Sequence, residues 1–191
     1  PRSIFLPLLL RETCRVTERS TDVILVLDSS RSMDGAKLDA SLAAAEVFID
    51  QLRLPRDHVA LVAFNSTAEL LSPLTGDAGA LRAALRALRT QPGTRIDLGL
   101  ELARAELRSA RHRPGSTSTI VLLTDGVQDD RPKVLGMGRQ ICADGILLYT
   151  IGLGPPTDVD NVTLMALACK PNMFFQAATP AYYAPEGTPI A

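Results

Sequence analysis

A chain of 191 residues suffices for one sizeable α/β domain with short extensions and is too short for two. Hydrophobic residues at 46% and charged residues at 21% exclude disorder over most of the length, and with no Trp and 4% aromatics the core has to be aliphatic. The net charge of −1, from 20 basic and 21 acidic residues well mixed along the chain, excludes the basic face that nucleic-acid binding requires.

Residues 1–20 read as an N-terminal extension. The chain opens on Pro1, as a processed product or an excised segment would, and no signal peptide is visible. Its apolar stretch 5–10 (FLPLLL) is six residues long and holds Pro7. A membrane span needs about 20 residues, so no direct membrane insertion is expected, and the stretch reads as an edge strand or the remnant of something upstream. The domain proper is expected over 21–178. Residues 23–27 (VILVL) form its first strand, unrelieved by polar alternation as in a parallel sheet covered on both faces. Over 36–52, Leu38, Leu42, Ala45, Ile49 and Leu52 recur at spacings of three and four, an apolar helical stripe. A second strand over 59–64 (VALVAF) is followed so closely by a short run at 68–71 that a hairpin is expected, and with it one antiparallel edge strand.

Leu81, Ala84, Leu85 and Leu88 mark the next helix, and Ile96, Leu100, Ala103 and Leu107 another. The Arg-rich stretch 104–113 is relieved by Glu101 and Glu106 and reads as a solvated helix end. Residues 119–123 (TIVLL) form a strand. A helix over 132–144 has Asp130 as its cap, Pro132 in its first turn and Gly145 past its end. A strand over 146–151 (ILLYTI), a helix over 159–168 and a weak strand over 173–176 complete the domain. The tail 179–191, with three prolines and no apolar stripe, reads as a linker or a poorly ordered end. Strands alternating with helices make a doubly wound α/β fold, with a mostly parallel sheet and one antiparallel edge strand. Of the three cysteines, Cys142 and Cys169 lie in apolar helical stretches and read as small buried hydrophobes, leaving Cys14 as the candidate for a single bridge.

In open α/β sheets ligands bind beyond the carboxyl ends of the strands. Three segments place polar groups there: Asp28, Ser29, Ser30, Arg31 and Ser32 after the first strand, Thr94 just before a helix, and Thr124, Asp125 and Gly126 after the TIVLL strand. Asp28, Ser30 and Ser32 alternate, so a tight loop can turn all three side chains one way. With Thr94 and Asp125 they make a set of hard oxygen donors that suits Mg²⁺, Mn²⁺ or Ca²⁺ and disfavours Zn²⁺. Hydroxyls are weak ligands and two carboxylates only balance the ion's charge, so the metal keeps a water position that an acidic side chain of another protein can take. His58 and His112 lie near no plausible nucleophile and read as surface or structural residues. Asp158 and Asp160 are explained by a loop and a helix start.

DVILVLDSSRSM resembles the D-x-S-x-S signature that opens von Willebrand factor A domains. Thr94 in PGTRIDLGL is similar to that family's threonine loop, and IVLLTDG to the segment bearing its second aspartate. The resemblance spans about 22–176, with the pieces in the family's order. It implies a three-layer, Rossmann-like fold with strand order 3-2-1-4-5-6 and strand 3 antiparallel. It also implies a metal-ion-dependent adhesion site in which Ser30, Ser32 and Thr94 contact the metal, while Asp28 and Asp125 bind it directly or through water. Two departures stand out. Pro92 replaces a common Gly and is expected to stiffen the threonine loop. Arg95 follows Thr94, and with Arg31 it is expected to form a basic rim favouring an acidic partner.

The chain therefore reads as a protein-binding module that takes an Asp or Glu carboxylate of its partner through a divalent cation, and not as an enzyme. Ser30 stands where a phosphotransferase or hydrolase would place a second Asp. No G-x-S-x-G elbow and no phosphate-binding loop occurs. Two settings compete: extracellular or cell-surface adhesion, which the apolar lead-in and Cys14 favour, and an intracellular scaffold subunit of a chelatase or AAA-type ATPase complex.

Overall fold

The sheet begins where aliphatic residues run without interruption and end in a charge. In the computed structural model, which describes residues 20–126 and 130–177, β1 (Thr21–Asp28) is buried from Asp22 to its end. It pairs in parallel with β2 (His58–Phe64) on one side and β4 (Thr117–Thr124) on the other, Leu25 lying opposite both Leu61 and Val121. Strand β3 (Ala68–Thr75) returns antiparallel to β2. It tolerates Pro73, as an edge strand can. Strands β5 (Leu147–Leu153) and β6 (Phe174–Ala177) extend the sheet in parallel beyond β4, and the order is β3-β2-β1-β4-β5-β6. The expected α/β architecture, with its one antiparallel strand, is the observed one.

Alternation along β1 divides the interior in two. Val23, Leu25 and Leu27 face a cluster completed by Ala44, Ala45, Phe48 and Ile49 of α1 (Ala36–Gln51) and by Leu81 and Leu85 of α2 (Ala78–Ala87). Ile24 and Val26 face the other side. There Ile96, Leu100 and Ala103 of α3 (Ile96–Glu106), Val134 and Ile141 of α4 (Arg131–Ala143), and Leu164 and Leu167 of α5 (Asn161–Leu167) close over the sheet. Each Val, Leu, Ile or Phe among them contributes about 1.5–3 kcal/mol on burial, and both faces need helical cover because neither face of a parallel sheet is polar. Carboxylates start three helices: Asp77 accepts the N–H groups of Gly79 and Ala80 at 2.8 and 3.1 Å, Asp130 that of Lys133 at 3.1 Å, and Asp160 that of Thr163 at 3.2 Å.

At the amino ends of the strands, Asp22 is fully buried. It accepts from Arg113 Nε at 2.9 Å, from the Arg113 backbone N–H at 2.9 Å, and faces His112 Nδ1 at 2.8 Å. His112 thus serves the loop leading into β4, in keeping with a structural role. Among the described residues no helix is long and apolar enough to cross a membrane. The expected extension, with its stretch 5–10 and Cys14, and the expected tail 179–191 lie outside the described residues.

The cysteine reading needs correction. Cys142 and Cys169, 27 positions apart in sequence, are joined by a disulfide, with Cα atoms 5.5 Å apart. Both are half-buried rather than core hydrophobes. Helices α4 and α5 lie side by side on one face of the sheet, which brings the end of one against the residues just past the other. That proximity is a product of the layer packing and has no signature in either local stretch.

Candidate functional site

The carboxyl ends of β1 and β4 lie side by side because the strands are parallel neighbours, and this brings Asp28 beside Thr124 and Asp125. Asp28 is 1% exposed. Its Oδ1 accepts the Ser30 backbone N–H at 2.8 Å, which curls the chain back on itself, and its Oδ2 accepts the Thr124 hydroxyl. The turn carries Ser30 and Ser32 to the same side, with their hydroxyl oxygens 3.0 Å apart, and Ser32 donates to Asp125 Oδ1 at 2.8 Å. A chain of oxygens therefore runs from Ser30 through Ser32 to Asp125, with Asp28 at the base.

Ser29 points the opposite way. Its hydroxyl donates to the Phe64 carbonyl at 2.9 Å and accepts from Asn65 Nδ2 at 3.2 Å, while its carbonyl accepts the Gln91 N–H at 2.8 Å. This residue stitches the β1–α1 loop to the loop after β2 and to the threonine loop. The threonine loop is also fastened by Ser66 N–H to the Pro92 carbonyl at 3.0 Å and by Arg95 N–H to the Asn65 carbonyl at 2.7 Å. Gly93 has φ of +93°, and a β-carbon there would lie 2.7 Å from Ser66 Cβ, so conformation and space both call for glycine. The loop delivers Thr94 against Gly126: a β-carbon on Gly126 would meet Thr94 Cγ2 at 2.6 Å and Asp28 Oδ2 at 3.3 Å. All five residues singled out from the sequence thus lie around the same small region, although they come from three separate segments.

The electrostatics of the two aspartates differ. Burial pushes the Asp28 carboxyl up to about 6; hydrogen bonds from Ser30 and Thr124 oppose that rise, and Asp125 adds to it. No cation figures among the groups acting on it, so its charge rests on neutral donors alone. Asp125, 5% exposed, is paired instead with the Lys37 ammonium at 2.5 Å, from the first turn of α1. Among the described residues no three His, Cys, Asp or Glu side chains group closely enough to hold a metal. The donors gathered here are instead two carboxylates and three hydroxyl residues, a hard-oxygen set.

The expected basic rim needs correction. Arg95 is committed to Asp97, which is 1% exposed, through Nε to Oδ1 and Nη2 to Oδ2, both at 2.8 Å. Lys133 adds a third contact at 2.7 Å to Asp97 Oδ2, and the Arg95 hydrogen bonds lead in holding that carboxyl well below the usual range. The Arg95 guanidinium is tied to a buried carboxylate while its side chain stays partly exposed, and Arg31 is exposed. Sequence reasoning passed over Asn65 and Lys37, and it named Ser29 and Thr124 at the strand ends without giving either a role. Thr124 adjoins Asp125 in sequence, and Lys37 sits in the first turn of the predicted helix. Their roles depend on which loops meet.

Residues 22–183 match the family model described as the von Willebrand factor type A domain. The chain is 39% identical over 105 residues to the magnesium-chelatase 60 kDa subunit of Cereibacter sphaeroides, covering 54% of this chain and 19% of that protein. It is 29% identical over 172 residues to matrilin-1 of Mus musculus, covering 83% of this chain and 32% of that protein. The chain thus spans about a fifth and about a third of the length of these two relatives. Among solved structures, the vWF domain of the type V pili tip protein Mfa5 from Porphyromonas gingivalis has a TM-score of 0.75 at 18% identity, covering 87% of this chain and 92% of that chain. That likeness carries the fold.

Proposed function

The chain belongs to the von Willebrand factor type A domain family, and from that premise we propose that it is a protein-binding module whose ligand site is formed by Asp28, Ser30, Ser32, Thr94 and Asp125 around a divalent cation, Mg²⁺ with Mn²⁺ or Ca²⁺ as substitutes. The observation that carries the reading is Asp28: a buried carboxylate with only neutral hydrogen-bond donors, Ser30 from its own loop and Thr124 from the end of β4. A buried charge of that kind calls for a counter-ion, and the oxygen-only surroundings select a hard one. When bound, the cation would supply an open coordination position for a carboxylate of a partner protein. This chain's own residues do the rest. The Ser30 N–H and the Thr124 hydroxyl aim the Asp28 oxygens, Gly126 leaves room for Thr94, and the Asn65–Ser29 contacts hold the three loops in one place.

This reading makes the chain a recognition module rather than a catalyst. The magnesium-chelatase relatives supply the competing reading, a scaffold subunit inside an enzyme complex. The disulfide between Cys142 and Cys169 favours the first, because such bridges persist in oxidising compartments and are rare in the cytosol. A secreted or surface setting, with an acidic protein ligand, is therefore the preferred proposal.

The test is a titration of the chain with Mg²⁺ and Mn²⁺ followed by calorimetry. It is paired with a surface-binding screen run in Mg²⁺, in EDTA and with Thr94→Ala. Saturable metal binding and chelator-sensitive capture, both lost in Thr94→Ala with the fold intact, is the expected result. Capture that persists unchanged in EDTA would remove the metal from the proposal.

A further inference from the structure

Resting on that reading of the site, we infer that Lys37 is a built-in competitor of the metal, an affinity-setting residue whose ammonium holds Asp125 until a divalent cation displaces it. Both oxygens of Asp125 are engaged without any ion. Ser32 donates to Oδ1 at 2.8 Å, and Lys37 Nζ lies 2.5 Å from Oδ2. Asp28, the other carboxylate, is held by neutral donors from Ser30 and Thr124. The site therefore holds two carboxylates and one cationic side chain, and the cation is placed entirely on Asp125.

Charge counting shows why the two cations exclude one another. Two carboxylates neutralise a divalent ion. Lys37 left in place would then be an unmatched positive charge within a few ångströms of a dication in a partly buried setting, where the effective dielectric is well below that of water. Space adds to the effect, because Asp125 Oδ2 cannot accept a short ammonium contact and also turn its lone pairs to a metal without loss. Lys37 has somewhere to go. Its side chain is 33% exposed, whereas that of Asp125 is 2% exposed, and a flexible four-carbon stem lets the ammonium swing into water without moving α1. The cost of releasing it is subtracted from the metal's affinity, and by linkage whatever fastens Lys37 to Asp125 weakens the metal by the same factor. The other lysines provide internal references. The chain has three, and Lys133 is paired with Asp97 at 2.7 Å, outside the proposed ligand set.

Two measurements test this on the whole chain with Mg²⁺ and Mn²⁺ as the probes. In the first, metal affinity is compared between wild type, Lys37→Met and Lys37→Arg. The methionine variant, which keeps the stem and loses the charge, is expected to bind about tenfold more tightly, the change that removing one charge-assisted contact of about 1.4 kcal/mol produces. The arginine variant is expected to stay within about threefold of wild type, a change of under 1 kcal/mol. In the second, lysine acylation is read by mass spectrometry with and without saturating Mg²⁺. Lys37 reactivity is expected to rise several-fold with metal while Lys133 stays constant. Unchanged or weaker metal binding in Lys37→Met, or Lys37 labelling indifferent to Mg²⁺ in a chain that binds Mg²⁺, overturns the competition and leaves the metal site standing. Absence of Mg²⁺ and Mn²⁺ binding in wild type and Lys37→Met alike overturns the metal site and the competition together.

Discussion

Gly126 passes so near Thr94 that a β-carbon on the glycine would lie 2.6 Å from the threonine methyl and 3.3 Å from Asp28 Oδ2. Adding one methyl group here pushes on two of the five proposed ligands at once. Gly126→Ala is therefore expected to lower Mg²⁺ affinity by at least tenfold and stability by about 1–3 kcal/mol, the usual cost of overpacking. Calorimetry and a denaturant melt measure the two effects on the same sample. An alanine variant with wild-type metal affinity would show that Thr94 can retreat without consequence.

Asp28 is a charge that folding buries without a counter-ion. Because its carboxyl is raised to about 6 from an ordinary value of 3.8, the folded chain favours the protonated form. At neutral pH the ionised group therefore works against folding, and the deficit shrinks as pH falls from the folded toward the unfolded value. Asp28→Asn removes the charge while keeping an acceptor for the Ser30 N–H. Its metal-free stability is expected to exceed wild type by up to about 3 kcal/mol, and its Tm should no longer respond to Mg²⁺. Thermal melts with EDTA and with Mg²⁺ give both numbers, and a variant less stable than wild type in EDTA would contradict the account of Asp28.

Acid sensitivity should come from elsewhere. The Arg111 guanidinium holds Glu106 below the usual carboxylate range, with the Leu74 N–H assisting and burial opposing, and Arg95 does the same for Asp97. Depressed carboxyls stabilise the fold fully above their unfolded values, roughly pH 4, and the contribution drains away as pH falls through the lower folded values. Stability is expected to drop on the acid side of about pH 4. Glu106→Gln should be less stable at pH 7 and show a shallower acid slope. Urea midpoints taken between pH 2 and 7 follow this directly.

The Cys142–Cys169 bridge closes a loop across a sequence separation of 27. In the chain-entropy view such a loop is worth about 3.5 kcal/mol. A Cys142→Ser/Cys169→Ser double variant is expected to lose stability of that order while Mg²⁺ affinity changes less than twofold, since α4 and α5 contribute none of the five proposed ligands. Non-reducing mass mapping verifies the pairing, and chemical melts with and without reductant measure its contribution.

How much was legible differs between fold and site for a physical reason. The strands of the sheet announced themselves because residues 23–27, 59–64 and 119–123 have to be apolar on both faces. The caps at Asp130 and Asp160 were equally local in origin. Strand β3 runs four residues past the end of its expected stretch, to Thr75, because its length is set by pairing with β2 and only partly by its own residues. In the site, Asp28, Ser30, Ser32, Thr94 and Asp125 stood out as polar groups at strand ends and helix starts. Arg95 was misplaced because nothing in its neighbourhood shows that Asp97 is buried within reach of its guanidinium.

The amino-acid sequence alone determined the alternation of strands and helices, the aliphatic two-sided sheet and the identity of the oxygen-bearing residues at its carboxyl edge. These follow from periodicity and side-chain chemistry, which act over a few residues. Tertiary structure alone decided which side chains pair: Lys37 with Asp125 and Arg95 with Asp97 through opposite charges, and Cys142 with Cys169 through a covalent bond. Those pairings bring together residues up to 88 positions apart, and burial, which sets how strongly each charge needs its partner, exists only once the layers have closed.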